Sequence, residues 1–160
     1  MVVRVGKPPS VPSYKFLVSA CLAGINCTFN GKNDLKKSVK KLVDAGAALP
    51  VCPEVLGGLP IPRERSEIAG GSGVEVLAKK AKVVTVSGKD VSKNFIRGAK
   101  VAFRLAKRYK IKKAILKADS PSCGSVRIYD GTFGGVLRKG EGVLTSLLRL
   151  NKITIYTQGR

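Results

Sequence analysis

The chain places short apolar runs, "KFLVSA", "AALPV", "KKAILK" and "KITIYT", along 160 residues, with helical or turn-forming segments between most of them. Runs of this length suit buried strands. Strands that alternate with helices are joined by right-handed crossovers and lie parallel to their neighbours, so the pattern predicts an α/β chain with a parallel-rich sheet. A chain of this length folds as one domain and can bury roughly two-thirds of the surface its unfolded form exposes.

The connecting segments fill in the expectation. Residues 1–14, "MVVRVGKPPSVPSY", show neither helical nor alternating periodicity and read as an extended arm ahead of a single domain at 15–160. A helix is predicted over residues 34–45, with Leu35, Val39, Leu42 and Val43 on one face and Gly46 closing its end. The stretch "CPEVLGGLPIPRERSEIAGGSG" is rich in proline and glycine and reads as a long irregular loop of the kind that carries function. "VEVLAK" and "KVVTVS" read as a strand pair, and "SVRIYDGTFGGVL" as a hairpin turning tightly at Asp130 and Gly131. A last short helix is expected at 142–150 before the terminal strand "KITIYT".

Thirty Lys and Arg stand against ten Asp and Glu, a formal charge of +20, large enough to steer encounters with polyanions such as RNA. A heavily charged surface with no partner is the plain alternative. The predicted helix at 91–110 concentrates the charge. Phe95, Ala99, Ala102, Ala106 and Tyr109 line one of its faces, and Lys93, Arg97, Lys100, Arg104, Lys107 and Arg108 the other. Such a stripe is a solvated helix face or a track for RNA phosphates. No apolar stretch approaches the roughly 20 residues of a membrane-spanning helix. The absence of a secretion signal and the few, scattered cysteines predict a cytoplasmic protein with reduced thiols.

Histidine is absent, which removes the commonest general base and the commonest zinc ligand. The chemistry then falls to thiols, carboxylates, hydroxyls, amines or a cofactor. Of the four cysteines, Cys21 follows "FLVSA", Cys52 follows "ALPV", and Cys123 stands shortly after "KKAILK", so each leaves the carboxyl end of a predicted strand. In an open parallel sheet those ends share the edge at which ligands bind. Taken singly, each thiol reads as a small buried hydrophobe. Taken together, they can meet in one crevice. The closely spaced cysteine pairs of many zinc sites do not occur, whereas an iron-sulfur cube accepts scattered thiolates and, held by three, keeps one iron open as a Lewis acid. Around Cys123, "SPSCGS" supplies hydroxyls and backbone amides toward an anionic sulfur, with Gly124 allowing close approach. Glu54, in "VCPE", is placed to act as a general base, or else as a cap or a partner for Arg63 or Arg65.

The segments "VSACLAGINCTFNG", "PVCPEVLGGLPIPR", "GKDVSKNFIRGA" and "ILKADSPSCGSVRIYDGTF", in this order, resemble the family of short α/β domains that includes the thiouracil desulfidases. The resemblance runs from about Phe16 to the C-terminus. It implies a Rossmann-like, three-layer domain with an added hairpin, carrying a 4Fe-4S cluster with one iron not bound by protein. It implies Cys21, Cys52 and Cys123 as cluster ligands, Cys27 as a nearby thiol outside the ligand set, Glu54 as the residue that activates water, and Ser120 as a hydroxyl that orients or relays a proton, with Ser122 two residues away. The implied reaction is non-redox: the substrate sulfur meets the open iron, water adds at its carbon, and sulfide leaves. The substrate expected is a thiolated pyrimidine, free or within RNA. The competing expectation is a non-catalytic RNA-binding module braced by a metal or cluster, for which nine aromatic residues and no Trp offer few stacking surfaces. A thiol-disulfide protein is disfavoured by the lack of a C-x-x-C pair.

Overall fold

A computed structural model describes residues 11–158. The predicted arm falls largely on residues 1–10, outside the described residues. Its last residue, Tyr14, sets its ring edge-on against Tyr109, with centroids 5.1 Å apart at 86°.

Four strands form one parallel sheet: β1 (Phe16–Ser19), β2 (Ala48–Val51), β5 (Lys113–Lys117) and β8 (Thr154–Gln158), in the order β2-β1-β5-β8. Alternation along β1 divides the core. Val18 faces a cluster with Val39, Leu42 and Val43 of α1 (Lys37–Asp44). Leu17 faces a larger one with Phe95, Ala99, Ala102 and Ala106 of α4 (Ser92–Arg108) and Leu144 and Leu148 of α5 (Val143–Leu150). Helices on both faces of a parallel sheet give the three-layer, Rossmann-like α/β architecture expected from the sequence. The chain leaves β1 toward β2 and leaves β5 toward β8, so the strand order reverses between β1 and β5, and the crevice beyond their carboxyl ends is the natural ligand position.

Helix α1 begins three residues later than expected, because Asp34 and Lys36 donate their amides to Cys21 O and Leu22 O, in the short 3-10 turn Ala20–Ala23, instead of starting a helix. Gly46, at φ +72°, follows its end. Helix α4 matches the predicted one closely. Its alanine face is fully buried, and Lys93, Arg97, Lys100, Arg104, Lys107 and Arg108 are all exposed.

Three local expectations are corrected. The proline-rich segment after Cys52 is no single loop: it holds the one-turn helix α2 (Pro53–Leu56) and strand β3 (Ser66–Ala69). "VEVL" is the helix α3 (Gly73–Leu77), not a strand, because Ser72 and Glu75 form a capping box in which the Glu75 carboxylate accepts the Ser72 amide at 2.9 Å. The partner of β4 (Lys82–Thr85) is therefore β3, antiparallel. The hairpin of β6 (Arg127–Tyr129) and β7 (Leu137–Lys139) forms, but Tyr129 pairs with Leu137, so a long loop replaces the tight turn. The buried Glu67 carboxylate holds that loop by accepting the amides of Gly131 and Phe133 at 2.9 and 3.0 Å.

Helix α2 is set against α4 by two facing glycines. A Cβ on Gly98 would stand 1.7 Å from Pro53 O, and one on Gly57 would stand 2.0 Å from Asn94 O. Only hydrogen at both positions lets the backbones meet, with Asn94 Nδ2 donating to Gly57 O at 2.9 Å.

Candidate active site

Beyond the carboxyl ends of β1, β2 and β5 lies a cavity of about 450 Å³ lined by Cys21, Cys27, Cys52, Cys123, Glu54, Ser120 and Ser122 among others. The three cysteines, Glu54, Ser120 and Ser122 proposed from the sequence all reach it, whereas Ser125 of "SPSCGS" turns its hydroxyl to Thr157. The strand ends explain the placement. Ser19, the last residue of β1, accepts the Lys117 amide on its Oγ at 2.9 Å and so ties the ends of β1 and β5 together. Cys21 follows in the 3-10 turn, and Cys52 stands at the N-cap of α2, which carries Glu54 in its first turn.

The Cys123 turn is fixed from below. Val143 and Leu144 at the start of α5 donate their amides to Pro121 O and Ser122 O at 2.9 Å each, and Thr145 Oγ1 donates to Cys123 O at 2.9 Å. A Cβ on Gly142 would come within 2.4 Å of Ser122 C, so the turn rests directly on this glycine. Ser120 Oγ accepts the Cys123 amide at 2.7 Å.

Glu54 is held at both oxygens. Its Oε1 accepts from Ser122 Oγ at 2.8 Å, and its Oε2 accepts from Arg63 Nε at 2.9 Å and is also met by Arg63 Nη2. Ser122 has one proton, and the carboxylate at 2.8 Å takes it in preference to the Cys123 sulfur at 3.6 Å. Ser120 Oγ lies 3.2 Å from Ser122 Oγ, one step farther from Glu54. Ser122 is thus the hydroxyl in direct contact with the carboxylate, and Ser120 is linked to it through Ser122. Arg63, a candidate partner of Glu54 in the sequence, is the one that pairs with it; Arg65 turns to Glu67 at 3.8 Å instead. The cavity also takes in Ser19, Phe29, Phe95, Asp119 and Tyr129, which lie within the family-resembling segments but to which the sequence alone assigns no site role.

The thiols sit in each other's company. A hydrogen bond to Cys21 pushes the Cys27 thiol up to about 12, and a hydrogen bond to Cys27 together with burial pushes Cys52 upward. Burial pushes Cys123 up to about 11, against the opposing pull of the Ser19 hydroxyl. At neutral pH Cys27, Cys52 and Cys123 therefore stay protonated on their own, and a thiol that takes up a cation gives its proton away. The Ser19 hydroxyl at Cys123 and the Val55 amide at Cys52 are donors available to the resulting thiolates.

Among the described residues, no group of three His, Cys, Asp or Glu side chains is arranged to hold a metal ion. A four-iron cube offers a separate iron to each thiolate, so its ligands need not converge on one point. Three thiols from three strand ends around one cavity, two of them with hydrogen-bond donors to sulfur, fit such a group.

A model of the 2-thiouracil desulfurase family matches residues 16–159. The chain belongs to this family. An uncharacterised protein, YbbK of Bacillus subtilis strain 168, is 47% identical over 133 residues, covering 83% of this chain and 88% of that protein. The solved structure of the [4Fe-4S]-dependent thiouracil desulfidase TudS is similar at a TM-score of 0.81 and 43% identity, covering 91% of each chain. The family match spans all the residues that line the cavity, so the 2-thiouracil desulfurase relationship extends over the whole site.

Proposed function

We propose that this protein removes sulfur from a thiolated pyrimidine, a 2-thiouracil-like base, by cluster-dependent hydrolysis. The observation that carries the reading is the meeting of Cys21, Cys52, Cys123 and Glu54 at one cavity, in a chain whose family and TudS-like fold extend over that cavity. In the reaction, C=S and water become C=O and hydrogen sulfide: a C–O bond forms, a C–S bond breaks, and no electrons are exchanged.

In this reading Cys21, Cys52 and Cys123 hold a 4Fe-4S cluster, while Cys27 remains a thiol beside it. Bound there, a cluster with one iron free of protein ligands supplies a Lewis acid for the soft substrate sulfur. The chain supplies the rest. Glu54 takes a proton from the attacking water, and Ser122 carries that proton between Glu54 Oε1 and the cavity, with Ser120 as the next hydroxyl of the chain. Phe29, Phe95 and Tyr129 at the cavity supply apolar surface for a flat ring.

The exposed cationic face of α4 supports RNA as carrier of the thiolated base or as a separate partner. It is also the observation behind the second reading, a non-catalytic RNA-binding module with a bracing cluster. Residues 15–160 acting as one catalytic unit behind an arm at 1–14, and a cytoplasmic location, belong to the same proposal. Among the described residues, no helix is long and apolar enough to cross a membrane.

Anaerobic reconstitution followed by a sulfide assay against free 2-thiouracil, 4-thiouridine and thiolated tRNA tests the proposal. Sulfide release from at least one of them supports it. A fully loaded protein that releases none, yet binds tRNA with a steep loss on added salt, favours the second reading.

A further inference from the structure

Arg63 joins three parts of the site. Its Nε donates to Glu54 Oε2 at 2.9 Å, its Nη2 donates to Cys27 O at 2.8 Å, and its Nη1 reaches Pro60 O at 3.3 Å. Its own amide donates to Phe29 O at 2.8 Å. Ion pairs on protein surfaces contribute little, but these side chains are only 7% and 14% exposed, so the contact is largely out of water. A planar guanidinium also fixes direction as well as charge. With Oε2 occupied by Arg63, Oε1 is the oxygen left to Ser122 and the cavity.

The geometry points to Arg63 as a positioning residue for the desulfuration: its guanidinium aims Glu54 Oε1 at Ser122 and the cavity while clasping the Cys27 loop to α2. This rests on the reading of Glu54 as the base. A lysine at the same place keeps the charge but presents a single ammonium, which cannot reproduce the fork that reaches Glu54, Cys27 and Pro60 together. Arg63 also lines the cavity, but its guanidinium is taken up by Glu54, Cys27 O and Pro60 O, so its loss is expected to fall on the rate more than on binding.

The test uses anaerobically reconstituted protein carrying Arg63→Lys, Arg63→Ala, Glu54→Gln, or Arg63→Lys with Glu54→Gln, assayed on 2-thiouracil. Arg63→Lys is expected to keep the four-iron absorbance and the native KM while kcat falls about 100-fold, the cost of misplacing a reacting group by about 1 Å. Added guanidinium ion should restore part of the lost kcat in Arg63→Ala. The double variant should turn over no more slowly than Glu54→Gln alone, because one role is removed twice. In the cluster-free protein, iodoacetamide should label the buried Cys27 faster in Arg63→Ala than in the native chain. Native kcat in both Arg63 variants, beside an inactive Glu54→Gln, would overturn the assignment while leaving the base in place. Loss of the four-iron absorbance in both would overturn it too, since Arg63 would then brace the cluster loops. Native turnover by Glu54→Gln would instead remove the base itself.

Discussion

Replacing Gly98 by alanine should damage catalysis from outside the site. Gly98 lies within α4, and its missing side chain is what lets α2, the carrier of Glu54, rest on that helix. An added Cβ would stand 1.7 Å from Pro53 O and 2.7 Å from Pro53 C, both backbone atoms that cannot rotate away. Carbon and oxygen in ordinary contact stand about 3.3 Å apart, so α2 must retreat by more than about 1 Å. Pro53 is next to Glu54, and a reacting group misplaced by about 1 Å costs about 100-fold in rate. Overpacking costs about 1–3 kcal/mol, and the better helix propensity of alanine returns up to about 1 kcal/mol. The net loss lies between about 0 and 3 kcal/mol, which lowers Tm by up to about 12 °C in a domain of this size. Sulfide release and differential scanning calorimetry on the reconstituted variant measure both. Gly46→Ala is the control: that glycine, at φ +72°, has nothing within 4 Å of an added Cβ. It should cost about 1–2 kcal/mol of stability through its left-handed backbone and leave turnover untouched. Native turnover and native Tm in Gly98→Ala would refute the reasoning.

Alanine at Cys21, Cys52 or Cys123 should abolish loading of four irons, measured by iron and sulfide content, while Cys27→Ala retains most of it; equal loss from all four would break the ligand assignment. Glu54→Gln should keep cluster absorbance and lose turnover, as followed by sulfide release. Ser72→Ala removes the capping box of α3 and should cost about 1 kcal/mol in chemical denaturation. Hydroxyl and amide of Ser92 hold the Asp90 carboxyl below its usual range, and those of Ser72 do the same for Glu75. Both carboxyls therefore add stability above an unfolded pKa of roughly 4 and lose it as pH falls through their lower folded values. Thermal melts of the cluster-free protein should show Tm declining across that acid range, less steeply in Ser92→Ala and Ser72→Ala.

The parts legible in the sequence are those set by local pattern. The apolar runs are β1, β2, β5 and β8, and the cysteines placed at their ends do share a cavity. The basic and alanine faces of α4 follow from its periodicity. Most of the rest depends on partners elsewhere in the chain, with one local exception. "VEVL" has strand composition, yet a serine and a glutamate three residues apart start a helix there, a signal present in the sequence and outweighed by the valines. The loop after Tyr129 departs from a tight turn because Glu67, more than 60 residues upstream, binds its amides. The direct hydrogen bond from Ser122 to Glu54 spans 68 positions, and no spacing rule could choose Ser122 over Ser120. The close approach of α2 to α4 was equally hidden, since Gly57 and Gly98 look like ordinary loop and helix glycines until they face each other.

Mössbauer spectroscopy of the anaerobically reconstituted, iron-57-labelled protein tests the central claim most directly. Three cysteines at strand ends holding one cube predict a single iron distinct from the other three, whose signal moves when 2-thiouracil is added. Four equivalent irons indifferent to 2-thiouracil, or iron that never assembles into a cube, would contradict it.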